Sequence, residues 1–345
     1  MELFKYTVLG SFAVGHTMFG GQTMKTRNFT DALEAKIGKE QVCRLDTHNW
    51  KKNPLRLIFQ IKKALKNSKE LVILPADKGI LIIPSIALWM NKRLKRKIKY
   101  VVIGGWLPNL LTGNRKLQNR LKKLDGIFVE TECMKKKMVE LGFFNVFVMP
   151  NFKKISVLEI QDLPIIKNEP LPLCTFSRVL KEKGIEDAVK IVEKANEILG
   201  RNTFVLDIYG KVDESQTQWF NKLKRTFSSN IQYKGYVDGF DSAEIIKNYF
   251  ILLFPTYYEG EGYPGTLIDA FSAGVPVIVS DWAYNSEIVN DEVGVVLETH
   301  NIELWAEKLV EIAENIDFVN RKKRACLEYA KKMTPESAIK VFLEA

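Results

Sequence analysis

Glu261 and Asp269 stand with seven residues between them, across the turn Gly262-Tyr263-Pro264-Gly265. That spacing suits a ligand with hydroxyl groups at both ends. Pro264 and Gly265 permit a sharp change of direction, and Thr266 to Ala273 then reads as a helix. A helix start presents unpaired N–H groups and the positive end of a dipole, which together bind phosphate. Glu261 falls in the loop before that start, where its carboxylate can accept from sugar hydroxyls. Asp269 falls about one turn inside the helix, roughly 5 Å further along its axis. Two acceptors flanking a phosphate seat fit a nucleotide that carries a sugar at each end. For either acid alone, a solvated carboxylate on a capped helix is the plainer reading.

A second group of residues agrees with the first. Leu173 to Ser177 reads as a strand, and Arg178-x4-Lys183-Gly184 follows it. Arg178 offers a planar fork and Lys183 a point charge, and in a strand-to-helix loop both can reach one pyrophosphate. Lys181 and Glu182 between them are ordinary solvated residues. Near the start of the chain, Tyr6 to Leu9 reads as a strand. Gly10, Gly15, Gly20 and Gly21 then punctuate a loop to a helix starting near Thr23. The Gly20-Gly21 pair lets backbone approach a ligand closely and adopt conformations closed to other residues.

These groups need strands that end where a ligand can sit. Tyr249 to Phe254 and Val275 to Ser280 are short apolar runs of the buried-strand type. The loop with Glu261 therefore lies at the carboxyl end of a parallel strand, where open α/β sheets bind ligands. In the first half, Val42 to Asp46, Glu70 to Leu74, Lys99 to Ile103, Gly126 to Val129 and Asn145 to Met149 read as strands. Amphipathic segments such as Leu55 to Lys66 and Met134 to Leu141 separate them, an alternation that predicts a parallel sheet.

The run Glu261-x7-Asp269 resembles the Glu-x7-Glu pattern of retaining glycosyltransferases of the GT-B fold, the family 4 group also called glycosyl transferases group 1. Asn285-Ser286-Glu287 ahead of Ile288-Val289 is similar to the same family, and so is Arg178-x4-Lys183. Asp269 departs from the usual Glu. The resemblance implies an α/β fold of two Rossmann-like domains facing a cleft, with a C-terminal helix crossing back to the N-terminal domain. It implies an acceptor-binding domain over 1–150, a linker over 151–172, a donor-binding domain over 173–317 and returning helices over 318–345. It gives Glu261 the donor sugar, Asp269 the ribose, and Arg178 and Lys183 the donor diphosphate and leaving group, so Glu261, Arg178 and Lys183 form the catalytic set. Gly20, Gly21, Gly262, Tyr263, Gly265, Thr266 and Glu287 join Asp269 in holding the donor. Many members carry a His near the end of the fourth N-domain strand. This chain has Gly104-Gly105-Trp106 there, while His16 lies in the first loop.

Charge is divided unevenly. Residues 1–150 hold 28 Lys and Arg against 11 Asp and Glu, a net of +17, which leaves 23 against 30 and a net of −7 for the rest. The densest run contains Lys92, Arg93, Lys95, Arg96 and Lys97, just after the apolar stretch Ile80 to Met90. Such a face gains about 1 kcal/mol per Lys or Arg near an anionic bilayer, though Lys-rich solvated helices would look the same. Nucleic acid is disfavoured, because no zinc-finger, recognition-helix or aromatic-interleaved motif accompanies the charge and the second half is acidic.

No apolar run reaches the length of a membrane span. Cys43, Cys133, Cys174 and Cys326 are scattered without a disulfide or metal pattern. His16, His48 and His300 share no ligand spacing, and no Asp-x-Asp occurs, so no metal and no cofactor are expected. The resulting expectation is a cytoplasmic, metal-independent hexosyltransferase lying on the inner face of the membrane and serving cell-surface polysaccharide or capsule biosynthesis. It would move a sugar from a UDP- or GDP-linked donor to a lipid-linked or glycan acceptor. A sugar-nucleotide epimerase on the same fold and a non-catalytic glycan-binding protein are the alternatives.

Overall fold

The computed structural model describes residues 3–15, 20–76, 79–154, 156–237 and 241–345. The chain divides into two compact units. The first takes in residues 1–153, 260–263 and 334–345, and the second takes in 154–259 and 264–333.

The first unit contains β1 (Phe4–Gly10), α1 (Gly21–Ile37), β2 (Val42–Asp46), α2 (Pro54–Asn67), β3 (Ser68–Leu74), α3 (Gly79–Met90), β4 (Lys97–Val101), α4 (Leu107–Leu111), α5 (Arg115–Leu121), β5 (Gly126–Val129), α6 (Glu132–Glu140) and β6 (Val146–Val148). Its six strands are all parallel, in the order β2-β1-β3-β4-β5-β6. Strands buried on both faces are continuous apolar runs, and Gly-Ile-Phe-Val of β5 is buried at every position.

The second unit contains β7 (Leu171–Phe176), α7 (Ile185–Leu199), β8 (Phe204–Tyr209), α8 (Thr217–Lys224), β9 (Ile231–Gly235), α9 (Ser242–Ile246), β10 (Ile251–Phe254), α10 (Gly265–Ser272), β11 (Val277–Ser280), α11 (Asn285–Ile288), β12 (Gly294–Leu297), α12 (Ile302–Ala313) and α13 (Ile316–Ala330). Its sheet runs β12-β11-β10-β7-β8-β9, again all parallel. The order reverses between β7 and β10, which makes that gap the topological switch point of a doubly wound sheet.

The last helix, α14 (Pro335–Glu344), belongs to the first unit. Phe342 lies 5.0 Å from the rings of both Phe29 and Phe128 and 5.5 Å from that of Tyr6. The return to the first unit thus starts at Thr334 and not at the expected Phe318. The reason is that α13 packs against α10, with Tyr329 edge-on to Phe271 at 5.3 Å. Lys99, at the end of the basic run, is buried as well. It pairs with Glu70 at 3.3 Å and lies over the Phe342 ring at 4.8 Å, so it is a core residue and no part of a basic surface.

Candidate active site

The switch point of the second unit carries the two cations. After β7 the chain passes Arg178 and a single 3-10 turn, Lys181–Lys183, before Gly184 opens α7. Gly184 is left-handed at φ 72°, and a Cβ there would stand 2.0 Å from the Pro255 carbonyl oxygen. Only glycine lets the loop after β10 come this close. That loop is laced in place: Tyr257 N–H donates to Glu182 O at 2.8 Å, and Trp282 Nε1 donates to Tyr258 O at 2.9 Å.

Tyr258 is where the cations meet. Lys183 Nζ lies 4.9 Å from its ring centroid, and the Arg178 guanidinium lies 5.9 Å from it. Arg178 is half-exposed, and its contact with Asp213 is long at 3.5 Å. The Ser215 hydroxyl and backbone N–H hold the Asp213 carboxyl below its usual range. Two cations beside one aromatic ring, Arg178 among them half-exposed, are groups that could make the charge-assisted bonds of a diphosphate. Tyr258 was not among the residues singled out by sequence; its place in the aromatic run Tyr257-Tyr258 was the available signal.

Asp269 also has a partner within the second unit. It is 2% exposed, and Ser242 Oγ, on the first residue of α9, donates to it at 2.8 Å. One carboxylate oxygen therefore braces α9, a structural duty the spacing did not reveal. Thr266 Oγ1 donates to Phe176 O, tying the start of α10 to the end of β7. Pro264 precedes Gly265 as a cap that makes no side-chain hydrogen bond to the first N–H groups of the helix. Glu287 lies exposed on the short α11.

Glu261 and its neighbours belong to the first unit. Glu261 is 5% exposed, and Gly262 and Tyr263 beside it are buried. Gly260 O accepts from Gly105 N–H at 3.3 Å, and Tyr263 N–H donates to Glu130 at 2.7 Å. Glu130 is itself buried against Lys25 of α1. Neither residue of that pair was found by sequence reading.

Gly20 caps α1 with φ −81°, and Gly21 begins it. A Cβ at either would meet nothing within 4 Å. The pair leaves open space at a helix start but uses no backbone conformation special to glycine, which corrects that part of the expectation. His16 lies outside the described residues. Ahead of it, Asp46 at the end of β2 accepts from the N–H groups of Phe12, Ala13, Val14 and His48 at 2.8–3.3 Å. Burial alone would raise the Asp46 carboxyl, but those four donors outweigh it and hold the carboxyl below its ordinary range. Arg27 donates to the carbonyls of Phe12 and Ala13 in the same loop.

Of the basic run, Lys92, Arg93, Lys95 and Lys97 are exposed. Arg96 is not: it donates to Leu65 O at 3.4 Å, and its backbone is closed onto Asn91, which makes it part of the turn between α3 and β4. Among the described residues, no helix is long and apolar enough to cross a membrane.

The sequence model of the family described as Glycosyl transferases group 1 matches residues 159–333. Poly(ribitol-phosphate) alpha-N-acetylglucosaminyltransferase of Staphylococcus aureus is 22% identical over 301 residues, covering 83% of this chain and 56% of that protein. The GtfA subunit of UDP-N-acetylglucosamine–peptide N-acetylglucosaminyltransferase of Streptococcus pneumoniae serotype 4 is 33% identical over 120 residues, 34% of this chain and 22% of that one. The chain thus spans little more than half the length of the first of these relatives. The solved structure of Anabaena Alr3699/HepE in complex with UDP superposes with a TM-score of 0.74 at 10% identity, covering 99% of this chain and 98% of that one. That likeness is one of fold, and the fold is of the GT-B type, two Rossmann-like α/β units. With the family's sequence model spanning half of the chain and both sheets built on this plan, the protein belongs to the glycosyl transferases group 1 family.

Proposed function

We propose that this chain is a retaining glycosyltransferase, moving a sugar from a UDP-linked donor to a lipid-linked or glycan acceptor in cell-surface polysaccharide assembly. The observation that carries the reading is the convergence of Arg178 and Lys183 on Tyr258 at the carboxyl end of β7 and β10. Family membership supports reading that convergence as a diphosphate seat. The names of two relatives specify N-acetylglucosamine transfer, which makes UDP-N-acetylglucosamine the first donor to test and GDP-linked sugars the second.

In this reading Arg178 and Lys183 hold the diphosphate, and the start of α10 at Gly265 and Thr266 adds its N–H groups. Asp269 accepts from the ribose, and Glu261 orients the donor sugar. The bond between the sugar's C1 and the β-phosphate oxygen breaks as the acceptor oxygen attacks C1 from the same face. The acceptor's proton passes to an oxygen of the departing diphosphate, so Glu261 is an orienting group and no covalent intermediate forms. Charge gathers on the leaving UDP, where fixed cations stabilise the transition state. Those cations and the helix start carry the charge without a divalent ion. The acceptor falls to the first unit, whose exposed Lys92, Arg93, Lys95 and Lys97 would meet an anionic membrane.

The test is a thermal-shift titration of UDP, GDP and their sugars against the wild type and Arg178→Ala. Ligand at 100 times its dissociation constant should stabilise the protein by about 2.7 kcal/mol. A shift for UDP that Arg178→Ala abolishes, with UDP release from UDP-N-acetylglucosamine by the wild type alone, is the expected result. No shift with any nucleotide would overturn the reading. Conversion of the donor to an isomer would replace it with an epimerase.

A further inference from the structure

We propose that Glu130 and Lys25 are positioning residues for Glu261: a buried ion pair that fixes the segment Gly260–Tyr263 through its backbone. The inference rests on the reading of Glu261 as the group that orients the donor sugar.

Lys25 lies on α1 and Glu130 follows β5, at 5% and 3% exposure, and Lys25 Nζ donates to Glu130 Oε1. The other oxygen, Oε2, accepts the Tyr263 N–H at 2.7 Å. Asn151 Nδ2 donates to the carbonyl of the same Tyr263 at 3.0 Å. At Gly262 an added Cβ would stand 2.1 Å from Glu130 Oε2 and 2.9 Å from the backbone of Gly104. Gly260 is held in turn by Gly105 N–H. Residues on both sides of Glu261 are therefore seated on groups that follow β4, β5 and β6. The Glu261 side chain leaves a backbone with little freedom, which is the condition for orienting a reacting sugar before reaction.

The residue types follow from this arrangement. A buried carboxylate is strongly destabilising unless it is paired and hydrogen-bonded. Lys25 supplies the pairing, so both Glu130 oxygens act as acceptors, one for the ammonium and one for the Tyr263 N–H. An amide in place of Glu130 would turn a donor towards one of those two donors. The pair occupies a place where two apolar residues of similar volume would pack, so its presence calls for a reason beyond stability.

The test compares the wild type, Glu130→Gln, Lys25→Met/Glu130→Gln and Glu261→Ala. Each is measured for melting temperature, UDP affinity, and kcat and KM for UDP release from UDP-N-acetylglucosamine. The double variant removes both charges together and so keeps a folded protein if the single variant does not. Expected is a kcat loss on the order of a hundredfold in the folded variants, approaching that of Glu261→Ala, with UDP affinity unchanged because Arg178 and Lys183 are untouched. Wild-type kcat in a folded double variant, or a loss confined to melting temperature, would overturn the positioning role and leave the proposed function standing. Loss of UDP affinity along with kcat would show a general structural role and overturn it too. A wild type that neither binds UDP nor releases it from the donor would remove the functional reading and this inference with it.

Discussion

Arg178 and Lys183 are not equivalent. Arg178 is half-exposed and leans on Asp213, whereas Lys183 is braced over Tyr258 and Phe254 at 4.9 and 5.4 Å. If the two cations hold a diphosphate as proposed, Arg178 has only its long contact with Asp213 to give up, whereas Lys183 keeps its place over the two rings. Asp46 is a third residue with a defined electrostatic role, and it makes acid stability testable. Its folded carboxyl lies below the ordinary Asp value of about 3.9. Its stabilisation is therefore complete above that value and is lost as pH falls through the lower folded value. Asp46→Asn should flatten the acid side of the melting-temperature profile, recorded from about pH 5 downwards. Parallel acid limbs for variant and wild type would show that the four backbone donors contribute nothing through charge.

At the scale of elements, what was legible in the sequence was whatever is local. Gly126 to Val129 read correctly to the residue, because an apolar run ended by polar groups is the whole signal for a buried parallel strand, and the half-buried edge strand Val42 to Asp46 matched its expected bounds as well. The loop before α10 was legible from Pro264-Gly265 for the same reason. Strands β8 and β9 were not: Asp207 interrupts Phe204–Tyr209, and Gln232 and Lys234 alternate along Ile231–Gly235. The Lys25–Glu130 pair was out of reach because its members are 105 residues apart and only the sheet order brings them together. Gly184 shows the local signal at its strongest, since its left-handed φ and its contact with Pro255 both exclude a side chain. Gly184→Ala should cost at least about 1–2 kcal/mol from the backbone alone, and the pressed Pro255 should also disturb Tyr258 and weaken UDP binding. Gly21→Ala serves as the control, because a Cβ there meets nothing. Equal melting temperatures for the two variants would refute the close approach.

At the scale of the whole molecule, the division of charge is the feature that neither the proposed donor seat nor the fold requires. A net of +17 within residues 1–150 accompanies a net of −7 in the remainder. In the first unit, exposed Leu55 and Phe59 on α2 and Trp89 on α3 stand at 76%, 67% and 66% exposure, on two helices that pack together, and the exposed basic run follows α3. Apolar and aromatic side chains beside Lys and Arg suit the boundary between lipid headgroups and acyl chains. Each cation near an anionic surface contributes about 1 kcal/mol. Replacing Lys92, Arg93 and Lys95 by Ala should therefore weaken binding to phosphatidylserine vesicles by about 3 kcal/mol, roughly a hundredfold. UDP binding in the second unit should be unchanged. Vesicle sedimentation of wild type and triple variant over a salt series separates the contributions, because the electrostatic part fades with ionic strength and the apolar part does not. Equal sedimentation of the two proteins with anionic and neutral vesicles would refute the membrane role of this run, and the acceptor would then have to be sought among soluble glycans.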